Sequence, residues 1–338
     1  MLKFTKLARG IFRELNTLTA SADYPNIKDL WFALKDIPII KLNIKNFGYE
    51  LARQLQPRLE SMDCSSEPQR HNLVSKPTTQ LDMESPWFKY WCSQLKAAPI
   101  YHRKLWEFAF VLQALYEHGI LQQGYEGVGF GCGKEPLASY FASKNMKALV
   151  TDLAPEQVAG LGWAETGQHA TSLEQVFYPN IVSREMFDSN VRHRCIDMNH
   201  IPAFGKNFDF CWSVCALEHV GSIKKGLDFV ENSLLVLKPG GIAVHTTEFN
   251  YLSEKKTIDN WSTVLFLRRH FEELATRLTK NGHKMLGPDF TIGNGVLDTF
   301  IDVPPYAPLS SDQYQTGHLK LAIDGFACTC FGIIIRKA

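Results

Sequence analysis

No apolar run in this 338-residue chain approaches the roughly 18 residues that a membrane-spanning helix needs, so no span is expected. Charge of one sign is lacking too. With 36 basic against 35 acidic side chains the formal net charge is +1, which gives no bulk attraction to nucleic acid. The eight cysteines include no C-x-x-C pair. Without the usual zinc spacings no metal site is expected. The first residues, MLKFTKLARGIFREL, are broken by charges and lack a signal-peptide core. The thiols therefore read as reduced, in a cytoplasmic protein. A regular Gly-x-Gly-x-x-Gly is also missing. Counted from Gly129 and Gly131 its last position is Lys134, and counted from Gly127 and Gly129 it is Cys132. Both registers fail, which argues against a nicotinamide-dependent oxidoreductase.

What is present centres on Tyr125 to Asp152, YEGVGFGCGKEPLASYFASKNMKALVTD. Gly127, Gly129, Gly131 and Gly133 alternate with Val128, Phe130 and Cys132. Glycine supplies backbone angles that other residues avoid and lets a ligand approach the main chain. Pro136 sits where a first helical turn tolerates it. Leu137, Ala138 and Phe141 recur at helical spacing, Asn145 is a helix stop, and Met146 to Thr151 is a strand closed by Asp152. This is the shape of a β-α-β nucleotide site.

The rest of the chain falls into order around that unit. Residues 1–60 read as helical, interrupted by Pro25, Pro38 and Pro57, with Phe4, Leu7, Ile11 and Leu15 on one face of a first helix. Residues 61–85 are rich in Ser, Pro, Gln and Thr and read as a linker, so the expected division is an extension over 1–85 and a main domain over 86–338. An aromatic stretch follows, then a helix over 102–118, ended by Gly119. Arg103 and Lys104 at its start are placed either to pack or to reach an anionic group. Pro155 and Glu156 suggest a second helix start. Arg192 to Asp197 reads as a strand, and so does Phe208 to Val214, with Cys211 and Cys215 taken as core. A helix over Leu227 to Leu237 stops at KPGG, and Ile242 to Thr247 is the next strand. The alternation predicts an α/β fold, a doubly wound and mostly parallel sheet. Residues 262–279 read as a helix, 287–318 as an irregular lid, and the final FACTCFGIIIRKA as an antiparallel edge strand.

The order of GFGCG, IDMNHIP, FDFCWSVCALEHV and LLVLKPGGIAVHTTE resembles class I S-adenosylmethionine-dependent methyltransferases of the type 11 kind, over about residues 124–250. The resemblance implies a Rossmann-like seven-stranded sheet and S-adenosylmethionine as cofactor. It implies cofactor contacts from Gly129, Phe130, Gly131, Gly133 and Glu135 in the loop, and from Asp152 and Leu153 toward the ribose. It implies further contacts from Asp197 and Met198 toward the adenine, and from Ser213 and Val214 beside the sulfonium. The chain departs from the family's acidic-x-Gly-x-Gly-x-Gly loop in either register: Gly129 or Gly127 stands at the acidic position, and in the first register Glu135 replaces the third glycine. Glu135, or a residue of the 102–107 helix, is then left to meet the methionine amino group.

Methyl transfer to a hydroxyl needs a base. His219, Glu248 and His318 are the candidates, with His219 alternatively a packed residue and His245 read as buried. Asp289, Asp298, Asp302 and Asp312, with Phe290, Phe300 and Tyr306, suit a polyhydroxylated acceptor, so the expected reaction is O-methylation of a small polar metabolite or glycan. An inactive scaffold with the same fold is the rival reading.

Overall fold

The computed structural model describes residues 31–32, 34–61, 63–154, 172–205, 207–306 and 316–338. The helix read over the first residues, Pro25, the helix start at Pro155 and Glu156, and Asp312 lie outside them. The chain divides into two compact units, residues 1–48 and 49–338. A long helix, α1, covers Ile37–Ser61. Contrary to expectation, neither Pro38 nor Pro57 ends it: Pro38 lies in its first turn, where no backbone N–H is missed.

In the second unit the elements follow as β1 (Lys76–Pro77), α2 (Gln80–Met83), α3 (Pro86–Gln94), α4 (Arg103–Glu117), β2 (Glu126–Gly129), α5 (Leu137–Ser143), β3 (Lys147–Asp152), α6 (Arg184–Asn190), β4 (Val191–Cys195), β5 (Phe208–Val214), α7 (Ile223–Ser233), β6 (Leu237–Asn250), α8 (Arg268–Lys280), β7 (Lys284–Met285), α9 (Val296–Thr299), β8 (Ile301–Asp302), β9 (Lys320–Ile323) and β10 (Phe326–Arg336). One sheet of ten strands runs β4-β3-β2-β5-β6-β10-β9-β8, with β1 and β7 also on β10. The first five strands in that order pair in parallel. β10 is antiparallel to β6, β9, β1 and β7. The expected doubly wound sheet is thus present, widened by the short strands β1, β8 and β9. The C-terminal strand is antiparallel as expected but interior rather than an edge. Its run from Cys328 to Ile335 is buried throughout, which suits a strand covered on both faces.

Local signals account for the helix ends. His102 caps α4 by accepting from the Lys104 N–H, and Ser222 caps α7 by accepting from the Lys225 N–H. Gly119 and Asn145 take left-handed backbone just past α4 and α5. Two apolar clusters fill the space on the sheet. One gathers α3, α4 and α5 around Trp91, Trp106, Phe110 and Phe141, and the other gathers α7 and α8 around Phe229, Phe266 and Phe271. Residues 73–83, read from composition as linker, contribute buried Leu73, Ser75, Thr78, Gln80 and Met83 and pair with β10 through β1. No helix among the described residues is long and apolar enough to cross a membrane.

Candidate active site

The parallel strands bring their C-terminal ends to one edge, and the glycine-rich turn starts there, at the end of β2. A Cβ on Gly129 would sit 2.3 Å from Cys132 Sγ and 2.4 Å from the Trp212 ring, so this glycine lets β5 pack its indole against β2. Gly131 has φ +59°, a conformation costly to side chains, and a Cβ there would meet Ala216 Cβ at 2.7 Å and Met198 Sδ at 3.2 Å. Gly131, Met198 and Ala216 are therefore brought together from three strand ends. The Phe130 side chain is fully buried against Phe229, so only its backbone faces the turn.

Asp152 closes β3 and is buried. It accepts from the Gly133 N–H at 3.3 Å and the Leu153 N–H at 2.8 Å, which ties the turn to β3. Asp197, past β4, accepts from the Asn199 N–H at 2.8 Å and pairs with His200 at 2.9 Å. Burial raises its pKa, but the Asn199 and His200 contacts outweigh that and hold it below the usual carboxylate range. The Ser213 hydroxyl lies 2.8 Å from His245 Nδ1, inside the core. Burial holds His245 neutral, with a pKa lowered to about 3. The Ser213 and Val214 side chains are buried, which leaves their backbone for the edge. Glu135 is buried behind the turn, where it accepts from Trp212 Nε1 at 2.5 Å. Burial pushes its pKa up to about 8, while Trp212 and Lys104 pull the other way.

Beyond the end of β5, a polar cluster is built from four elements. Arg103 and Lys104 enter from the start of α4. Arg103 forms an ion pair with Glu248 and donates to Cys330 Sγ at 3.1 Å. Lys104 pairs with Glu107 at 3.3 Å. Glu107 also accepts from Thr246 Oγ1 at 2.5 Å and from Cys330 Sγ at 3.0 Å. Burial raises its pKa, yet Lys104 and Arg103 win and hold it below the ordinary value. Cys215 follows β5 in left-handed backbone, φ +47°, which is rare outside glycine and marks a held conformation. Its sulfur is 3.6 Å from Cys330 Sγ. Glu218, in the short turn Leu217–His219, accepts from Thr247 Oγ1 at 3.1 Å. Burial, and then the charge of Glu248, push it up to about 8. Glu248 Oε2 is buried and has no hydrogen-bond donor.

The three candidate bases all border this cluster. Glu248 lies within it. His219 is half-buried, with Nδ1 3.0 Å from the Ser262 carbonyl and Nε2 3.9 Å from Glu218. His318 is buried, with Nδ1 2.7 Å from Asp302 and its ring 4.6 Å from His102, and its carbonyl accepts from the Arg103 N–H. Burial lowers its pKa, and Asp302 only partly offsets this.

Two expectations change. Asp298 is buried, bonded to the N–H groups of Gln80 and Gly295 and paired with Lys320, and Asp302 is taken by His318. Asp298 and Asp302 thus brace the fold, while Asp289 bonds Thr291 at the surface. Cys215, read as core, is partly exposed and joins the cluster. Sequence reasoning passed over Glu107, Glu218 and Cys330. The available signal for Glu107 was a glutamate set among the apolar residues Leu105, Trp106, Phe108 and Ala109 of α4. A cavity of about 670 Å³ opens elsewhere, between α7 and α8, and contains none of these residues.

Residues 128–245 match the family model described as "Methyltransferase domain". Among solved structures, one similar chain is a sarcosine dimethylglycine methyltransferase candidate from Galdieria sulphuraria. It is 17% identical, with 68% of this chain and 83% of that one covered and a TM-score of 0.42. Another is an S-adenosylmethionine-dependent methyltransferase from Clostridium acetobutylicum, 10% identical over 68% of this chain and 89% of that one, with a TM-score of 0.39. No curated protein matches the sequence.

Proposed function

We propose, from the premise that residues 128–245 are a class I S-adenosylmethionine-dependent methyltransferase domain, that this protein O-methylates a small polar acceptor. The donor set at the sheet edge fits the cofactor. Carboxylates close or follow neighbouring strands at Asp152 and Asp197, and the Met198 thioether lies against the turn at Gly131. Asp152 would accept from the ribose hydroxyls, Asp197 from the adenine amino group, and Met198 would cover the ring. Glu135, the turn's own carboxyl, is held behind the turn by Trp212 and would meet the methionine ammonium only by leaving that bond. When bound, the cofactor supplies an electrophilic methyl group.

The chain's own part is to hold an acceptor nucleophile in line and to take its proton. One observation carries this reading: the buried, undonated Glu248 Oε2 lies in a cluster that adjoins the end of β5. An acceptor hydroxyl donating there satisfies the orphan oxygen and places its proton on the carboxylate. Arg103 and Lys104 suit an anionic group on the same small molecule. His219 and His318 stand on either side as proton carriers.

The test is transfer of labelled methyl from S-adenosylmethionine to a metabolite extract, with mass spectrometry of the product. A labelled methyl ether or ester of a small molecule is the expected result. Label confined to protein or nucleic acid would overturn the acceptor class. Absence of S-adenosylmethionine binding by calorimetry would overturn the reaction.

A further inference from the structure

We infer that Cys215, Glu218 and Glu248 form a binding site for one divalent transition-metal ion of the zinc type. Each offers a ligand atom, and the three atoms lie within 4.8 Å of one another. Two oxygens and a sulfur around a common centre, with a further position open, match the three-ligand pattern of reactive zinc sites. A thiolate among the ligands selects zinc or cobalt over magnesium or calcium.

A cluster of acids alone would mean little. Here a second observation points to a missing cation: Glu248 Oε2 is buried without a donor, while Arg103 is paired with Oε1 of the same carboxylate. Glu218 and Glu248 are only 1% and 3% exposed, so water is not the ready substitute it is for surface acids. The formal charges also close. One thiolate and two carboxylates stand against one guanidinium and one divalent ion. An overlapping group of Glu107, Cys215 and Cys330 lies equally close. It is the weaker site, because Lys104 and Arg103 already occupy Glu107 and Cys330.

The ligands come from the residue after β5, the turn beyond it and β6. Their sequence spacing therefore has no zinc-motif form, which is why none was expected. The inference goes beyond methyl transfer and is read without cofactor; with the ion bound, Glu248 is a ligand and not the base, so metal binding and proton uptake at Glu248 are alternative states of the site.

The experiment takes the full chain, stripped by a chelator, and titrates it with Zn²⁺ alone against a chromophoric competitor. Co²⁺ alone is followed by absorbance. One equivalent should bind, and Co²⁺ should show a near-ultraviolet sulfur-to-metal band. Cys215→Ser should abolish that band, and Glu248→Gln should weaken Zn²⁺ at least about tenfold. Cys64→Ser, at an exposed thiol, should change neither. Failure to bind one equivalent overturns the site, and so does binding that survives both variants, which marks adventitious metal. Should Glu248→Gln fold poorly because Arg103 loses its partner, Glu218→Gln and the cobalt band decide instead. S-adenosylmethionine calorimetry on the stripped protein runs alongside. Loss of that signal with the metal band retained counts against methyl transfer, not against the metal.

Discussion

Trp212 Nε1 donates a 2.5 Å hydrogen bond to Glu135 Oε1, so the strand beneath the glycine-rich turn grips the one carboxyl that the turn carries. Burial pushes Glu135 up to about 8, well above the usual carboxylate range. The folded chain therefore keeps a proton that the unfolded chain releases. The contribution is full below about pH 4.5 and is lost as pH rises toward 8. Glu135→Gln keeps an acceptor for Trp212 and removes this loss. It should stabilise the protein by about 4 kcal/mol at pH 8 relative to its effect at pH 4. Urea melts at both pH values check this, and parallel pH profiles of variant and parent would refute it.

Gly129→Ala should cost at least about 3 kcal/mol, because the new methyl would meet both Cys132 and the Trp212 ring at less than contact distance. Gly240→Ala, at a left-handed position with open space around it, should cost about 1 kcal/mol. Paired denaturation curves distinguish close packing at Gly129 from a general intolerance of substituted glycines.

Arg103→Ala leaves Glu248 buried beside an empty space and should cost about 3–5 kcal/mol. The double variant Arg103→Met with Glu248→Met removes both charges and should recover most of that loss. Thermal melts of the single and double variants measure the coupling, and additive losses would mean that the pair is unimportant to stability.

Asp152→Asn should weaken S-adenosylmethionine binding by about 2 kcal/mol, since a charged acceptor becomes a neutral one at the ribose position. Calorimetry reads this directly. Unchanged affinity would remove Asp152 from the cofactor site.

Glu248→Gln should lower the methyl-transfer rate about 100-fold, whereas His219→Ala should lower it less than about tenfold. The half-buried His219 approaches Glu218 of the cluster at 3.9 Å. Single-turnover rates with the labelled acceptor compare the two, and a larger loss at His219 would reverse the assignment of the base.

The parallel half of the fold was legible because each strand carried its own signal: glycines at the end of β2, an aspartate closing β3, a β-rich apolar run at β5, and KPGG at the start of β6. Glu248 was legible as a residue at a strand end. Glu107 and Cys330 were not. They lie 223 residues apart in sequence and meet only because β10 returns antiparallel beside β6. Periodicity within a window carries nothing of such a pairing. Composition misread residues 73–83 for a related reason. Their polar side chains are held by partners rather than solvated: the half-buried Lys76 donates to Asp82, and the buried Gln80 accepts from the Leu297 N–H.

The antiparallel return of β10 also has a consequence for the order of synthesis. Until residues 326–336 have left the ribosome, β6 has no strand on its far side, and its backbone donors and acceptors form an open edge. A nascent chain can hold every residue of the glycine-rich turn and still have no Cys330 beside Glu107. Assembly of the polar cluster thus waits on β10, and chaperones meet the chain while this edge of β6 is bare.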